Sequence, residues 1–173
     1  SMNMIQKAKD QIAELTRQAY ARAEQEGLLP GGVEVNCTIE VPKAAANGDY
    51  TTTFAMAAAK AMHKNPREIA EVLKERMPLE QSYFTSVEIA GPGFLNFRLG
   101  RQWFAEVLSA VEQEGECFGR SDALKGQKIM VEFVSANPTG PMHMGNARGG
   151  VLGDTLAEVL HWNGADVWRE FYV

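Results

Sequence analysis

Between Ile129 and Asn163 the chain places an apolar run, a turn punctuated by Pro and Gly, and a helix-periodic segment in that order, and few architectures accept it. The run IMVEFV is apolar on both faces except at Glu132, as in parallel strands covered by helices on both sides. The turn SANPTGP follows, and a helix is predicted from about His143 to Asn163 with Leu152, Leu156, Val159 and Leu160 as its core stripe. With a second strand over Asp166–Val173 this is a βαβ unit, normally right-handed, at the start of a doubly wound parallel sheet. Ligands of such sheets sit beyond the carboxyl ends of the strands, where SANPTGP lies.

The opening of that helix carries chemistry-bearing residues, each with a plain structural reading beside the functional one. Gly145, Gly149 and Gly153 repeat at spacing four, which suits either close packing of helix on sheet or the approach of a flat ring. A helix start offers unpaired N–H groups and partial positive charge to phosphates. His143 stands there either as a surface or core residue or as a directed donor. Glu132, in a strand expected to be doubly covered, needs a cation, which can be Arg148, Arg169 or a ligand.

Upstream the grammar is different. Ile5, Ile12, Leu15, Ala19 and Ala23 predict an amphipathic helix from Met4 to about Glu26, ended at Gly27. Val33 to Glu40 alternates apolar and polar residues as a strand does, and AANGDY reads as a loop. A helix is predicted over Thr51–His63, and another from Asn65, with Pro66 at its first position and Glu68 placed for a capping box. Strands over Tyr83–Ile89 and Phe94–Leu99 flank the turn Gly91-Pro92-Gly93, and Trp103, Phe104, Val107, Leu108 and Val111 mark a helix ended by Gly115. The turn-rich link GRSDALKGQK places a domain boundary near residue 120, giving an α+β domain over 1–120 and the βαβ unit over 121–173 within an α/β chain overall.

Bulk properties narrow the partners. Hydrophobic residues at 45% and charged residues at 23% are ordinary for a globular protein, and a formal net charge of -5 argues against a generally basic nucleic-acid surface. Cys37 and Cys117 stand alone, without the spacing of a zinc site or a redox pair. No signal peptide and no apolar span of about 18 residues is present, so a cytoplasmic protein without membrane partners is expected.

SANPTGPMHMGNARGGVLGD resembles the HIGH-signature region of class I aminoacyl-tRNA synthetases, and VEFVSANPTGP with WREFYV is similar to the arginyl-tRNA synthetase family in particular. GDYTTTFAMAAAKAMHKNPREIAE and VEIAGPGFLNFRL resemble that family's additional N-terminal domain, so the likeness covers essentially the whole chain. It implies a Rossmann-type catalytic domain and an arginine–tRNA ligase, which activates L-arginine with ATP and Mg2+ and transfers it to tRNA(Arg) without a protein-held metal. It implies that His143 and Asn146 hold the first and last positions of the HIGH tetrad and act catalytically. Pro141, Gly145 and Gly149 would join those two at ATP, with Gly145 under the adenine. Glu132, Ser135 and Asn137 would bind arginine, and Phe94 and Asn96 would contact the D-loop side of tRNA.

Asn146 departs from the commonest signature, which has a second histidine; an amide still donates a hydrogen bond but carries no charge. Phe94 and Asn96 equally suit a core aromatic and a strand residue. The family's later Rossmann half, its KMSKS-type loop and its anticodon-binding helices have no counterpart in these residues, so the chain is expected to lack the C-terminal remainder and to be inactive alone. Two other functions stay open: a non-catalytic tRNA-binding module, and a nucleotidylyltransferase with HxGN-like phosphate contacts, which leaves VEIAGPGFLNFRL unexplained.

Overall fold

Asn3 begins the first helix, its side-chain oxygen accepting the Gln6 N–H at 3.0 Å, and α1 runs over Met4–Gln25. The computed structural model describes residues 3–172, which fall into two compact units dividing between Ala110 and Val111.

The first unit packs helices against a four-stranded sheet. Its strands, β1 (Ile39–Glu40), β2 (Tyr50–Thr52), β3 (Phe84–Ala90) and β4 (Phe94–Leu99), are all antiparallel in the order β1-β2-β4-β3. Helices α1, α2 (Phe54–Met62) and α3 (Pro66–Glu75) close a core of Ile12, Leu15, Phe54, Met62, Ile69 and Leu73 against Leu95 and Phe97 of β4. Each of these larger side chains, removed from water, contributes about 1.5–3 kcal/mol before entropy is counted. Phe84 and Phe97 meet edge to face with centroids 5.4 Å apart. The fourth helix, α4 (Arg101–Glu114), donates from Trp103 Nε1 to Met4 O at 3.2 Å.

Two expectations change here. Val33, Val35, Cys37 and Ile39 do alternate in burial with their neighbours, but only Ile39 and Glu40 pair with a neighbouring strand. Tyr50–Thr52, expected partly as loop and partly as helix, is a strand held between β1 and β4, and the helix starts two residues later at Phe54. Asn65 caps α3 as expected, accepting the Arg67 N–H at 2.8 Å. The Arg67 guanidinium donates in turn to Gly91 O at 2.9 Å, tying the start of α3 to the β3–β4 turn.

The second unit is the βαβ segment: β5 (Lys128–Glu132), α5 (Met144–Trp162) and β6 (Asp166–Glu170), with the strands parallel and in register from Lys128↔Asp166 to Glu132↔Glu170. The end of the expected second strand, Val173, lies outside the described residues. Alternation along the strands assigns their faces. Phe133 touches α5 at Gly153, and Arg169 bonds to Asp154 and Glu158 of α5, so Ile129, Val131 and Val167 face the helix. Met130, Glu132, Trp168 and Glu170 face the other way, with Met130 and Trp168 63% and 66% exposed.

Cover on both faces of β5 is therefore not what this chain provides, and the stripe on α5 is also corrected. Leu152, Leu156 and Val159 are exposed, whereas Gly153 and Ala157 are the helix residues buried against the sheet. Small residues let helix and strand backbones approach, and the packing stripe runs through them.

Candidate functional site

The connection from β5 to α5, residues 133–143, takes its path from two three-residue turns. Ala136 N–H donates to Val134 O at 2.8 Å around Ser135, and Thr139 N–H donates to Asn137 O at 2.8 Å around Pro138. Val134 has φ of 62°, rare for a β-branched residue, and such a residue stores strain on the order of 1–3 kcal/mol. Ser135 Oγ accepts the Tyr172 N–H at 3.0 Å, pinning the connection to the chain just past β6. The result is an open cleft of about 980 Å³, walled by residues 133–143 and Asn146 and by Arg169, Glu170 and Phe171.

At the floor of the connection α5 caps itself. His143 is the N-cap residue, with extended backbone, and its Nδ1 accepts the Gly145 N–H at 3.0 Å. Asn146 Oδ1 accepts the His143 N–H at 3.0 Å, the reciprocal half of a capping box. Asn146 N–H and Ala147 N–H both reach His143 O, at 3.0 and 3.2 Å. The expected supply of unpaired N–H groups for a phosphate is thus largely used within the helix. From this point His143 and Asn146 line the cleft.

The cleft gathers five of the residues singled out in the sequence: Ser135, Asn137, Pro141, His143 and Asn146. Gly145, Gly149 and Glu132 are not among its walls. A Cβ on Gly145 would stand 2.8 Å from His143 Cε1, so the space over this glycine belongs to the histidine ring, while a Cβ on Gly149 would meet open space. Gly153 takes the packing role instead, directly against Phe133.

Glu132 does not pair with Arg169, whose Nε donates to Asp154 Oδ1 at 3.0 Å and whose second terminal nitrogen donates to Glu158 Oε2 at 3.0 Å. The hydrogen bond from Asp154 leads in raising the Arg169 pKa further, followed by that from Glu158. Nor is Glu132 buried; it is exposed on the open face of the sheet, directly in register with Glu170. Parallel neighbours lie about 4.8 Å apart, so the two side chains leave the same face of the sheet from adjacent positions. Among the described residues neither has a cationic partner, and Glu170 Oε2 accepts from Trp168 Nε1.

Sequence reasoning missed Glu170 and Phe171 as walls of the cleft. Their signal is position alone: Glu170 ends the parallel strand β6 and Phe171 follows it, at the carboxyl end where SANPTGP also lies. Phe94 and Asn96 lie in the first unit, on β4. Phe94 is half-buried beside the hairpin turn, and Asn96 is 5% exposed on the inner strand, in register with Thr51 and Glu88. Thr51 Oγ1 beside it is buried and has no hydrogen-bond partner among the described residues. Among the described residues no group of three or more His, Cys, Asp or Glu side chains is placed to hold a metal ion.

The family described as "Arginyl tRNA synthetase N terminal domain" matches residues 4–99, and "tRNA synthetases class I (R), catalytic domain" matches residues 106–173. An arginine–tRNA ligase from Acetivibrio thermocellus is 48% identical over 171 residues, 99% of this chain and 30% of that protein. One from Paracoccus denitrificans is 49% identical over 156 residues, 90% of this chain and 27% of that protein. The crystal structure of arginyl-tRNA synthetase from Plasmodium falciparum aligns with a TM-score of 0.58 at 15% identity, over 95% of this chain and 30% of that one, a likeness of fold. The chain thus spans about 30% of the length of the curated relatives it matches.

Proposed function

The chain belongs to the arginyl-tRNA synthetase family, and we propose from that premise that it forms the N-terminal part of an arginine–tRNA ligase, one wall of the site that joins L-arginine to ATP and passes the arginyl group to tRNA(Arg). Residues 1–120 serve as the additional, tRNA-contacting domain and residues 121–173 begin the catalytic domain. No described helix is long and apolar enough to cross a membrane, and a cytoplasmic place of action is part of the proposal.

The observation that carries the reading is the convergence of Ser135, Asn137, Pro141, His143 and Asn146 on one cleft beyond the carboxyl ends of two parallel strands. In the first reaction an oxygen of the arginine carboxylate attacks the α-phosphorus of ATP and pyrophosphate leaves. Hydrogen-bond donors fixed where charge develops on the phosphoryl oxygens lower that barrier, and no covalent enzyme intermediate is needed. His143 and the Asn146 amide are those donors. ATP arrives as its Mg2+ complex and is a substrate.

Ser135 and Asn137 hold the arginine ammonium end. The guanidinium is a planar cation with five donors, and Glu132 and Glu170, adjacent in register and without a cationic partner among the described residues, offer the acceptors it requires. On the tRNA side, Phe94 supplies a ring for stacking on a loop base. Asn96 is buried on its strand, so Phe94 carries that contact.

The test is arginine-dependent ATP–pyrophosphate exchange, with and without tRNA, by a full-length ligase carrying this segment. His143→Ala is expected to lower exchange about 10²–10³-fold, the usual effect of removing one transition-state donor. Near-normal exchange by that variant overturns the assignment.

A further inference from the structure

The roles of His143 and Asn146 can be divided atom by atom. A neutral imidazole has one protonated and one bare nitrogen, and the hydrogen bond made by one decides the state of the other. His143 Nδ1 accepts the Gly145 N–H at 3.0 Å, which requires a lone pair there. The proton of the neutral ring is then on Nε2. Two neighbours make this arrangement possible. Asn146 Oδ1 holds the His143 backbone N–H at 3.0 Å, fixing the residue from which the ring springs. Gly145 leaves the ring its space, since a Cβ there would stand 2.9 Å from Nδ1 and 2.8 Å from Cε1, closer than such contacts tolerate.

We propose that the turn into α5 selects the Nε2–H tautomer of the neutral His143 ring, with Gly145 and Asn146 as the residues that position it. A donor is thereby made ready before any nucleotide arrives, at no cost in reorganisation when charge develops. Asn146 takes on a positioning role through its side-chain oxygen, and its amide group stays free to donate. A side chain with an acceptor oxygen suffices for the first task, and a charged second imidazole is not required for it. Nδ1 is engaged with the helix, so the ring has one nitrogen to offer outward. This inference deepens the proposed role of His143 and rests on that reading for its meaning, but its test needs no substrate.

The ring nitrogens of His143 in the 15N-labelled chain are read by two-bond 15N–1H correlation, and exchange of the Gly145 amide is followed in the same sample. The expected result is a single tautomer, protonated at Nε2, with the Gly145 amide protected. Asn146→Ala is expected to cost the Gly145 amide about fivefold in protection, the worth of one cap, and to release the ring into both tautomers. Asn146→Asp keeps the acceptor oxygen and is expected to retain both signals. Ala157 amide protection reports that α5 itself is intact in each variant. A ring protonated at Nδ1, or an unprotected Gly145 amide in the unmodified chain, sinks the inference, and so does an unchanged ring in Asn146→Ala. His143→Asn separates this device from the catalytic reading. Its side-chain oxygen can still cap Gly145, so amide protection should persist while the full-length ligase loses exchange. Loss of protection together with full activity refutes both.

Discussion

The ring of Phe133 lies where a side chain on Gly153 would begin: a Cβ there would stand 2.2 Å from Phe133 Cγ and 2.4 Å from its Cβ. These are the near atoms of the phenylalanine, so the clash cannot be relieved by swinging the tip of the ring. Overpacking of this kind costs about 1–3 kcal/mol, and replacing a mid-helix glycine by alanine returns roughly 1 kcal/mol of it. Gly153→Ala is therefore expected to destabilise the βαβ unit by up to about 2 kcal/mol, read from urea denaturation followed by Trp162 and Trp168 fluorescence. A more stable variant contradicts the packing.

Tyr83 is 6% exposed and its hydroxyl donates to Glu106 on α4. Burial pushes the Tyr83 phenol up from its ordinary value, and the bond to Glu106 adds to the rise. The folded state thus favours the neutral phenol. That contribution is whole below the unfolded pKa of about 10 and is lost as pH rises through the higher folded value. Tyr83→Phe is expected to flatten the alkaline decline in stability, checked by urea midpoints at several pH values above and below that range. Tyr50, raised by burial and then by Asp49, retains its share of the decline. Identical slopes in both proteins remove Tyr83 as a source.

Glu170 is the carboxylate beside Glu132 that also walls the cleft. If the pair receives a guanidinium, Glu170→Gln loses a charge-assisted acceptor. The KM for arginine is then expected to rise about tenfold or more in a full-length ligase, with the KM for ATP little changed. Equal effects on both substrates would place Glu170 outside the arginine pocket.

Phe94 stands at the hairpin turn with its ring edge near Gly91. Stacking of one base on an aromatic side chain is worth about 1–3 kcal/mol, so Phe94→Ala should weaken tRNA binding by about 5- to 150-fold in equilibrium filter binding. Unchanged affinity with intact circular dichroism removes the contact.

The parts of the fold visible in the sequence are those whose causes are local. The period of α1, the Asn65-Pro66 start of α3, the Gly-Pro-Gly hairpin and the order β5–α5–β6 each depend on residues within a turn or two of one another. Tyr50–Thr52 is different. It is a strand because β1 and β4 supply partners on both edges, and its own sequence runs without a break into the alanines of α2. The face of α5 was hidden for another reason: apolar size marks burial poorly where Gly153 and Ala157 permit the closest approach. At the site, the β5–α5 connection was legible from its glycines, prolines and histidine. Glu170 was not, because it gains its meaning from register with Glu132 across the sheet.

The inner place of β4 also orders events in time. Its hairpin with β3 closes a turn of a few residues, whereas β2 reaches its other edge only after the intervening chain of α2 and α3 has been brought round. Chain closure of the first kind costs little entropy and of the second much more, so the hairpin can form early and waits for its second partner. The strand carrying Phe94 and Asn96 therefore has one edge open during folding. How quickly α2 and α3 assemble decides how long that edge is available to another chain.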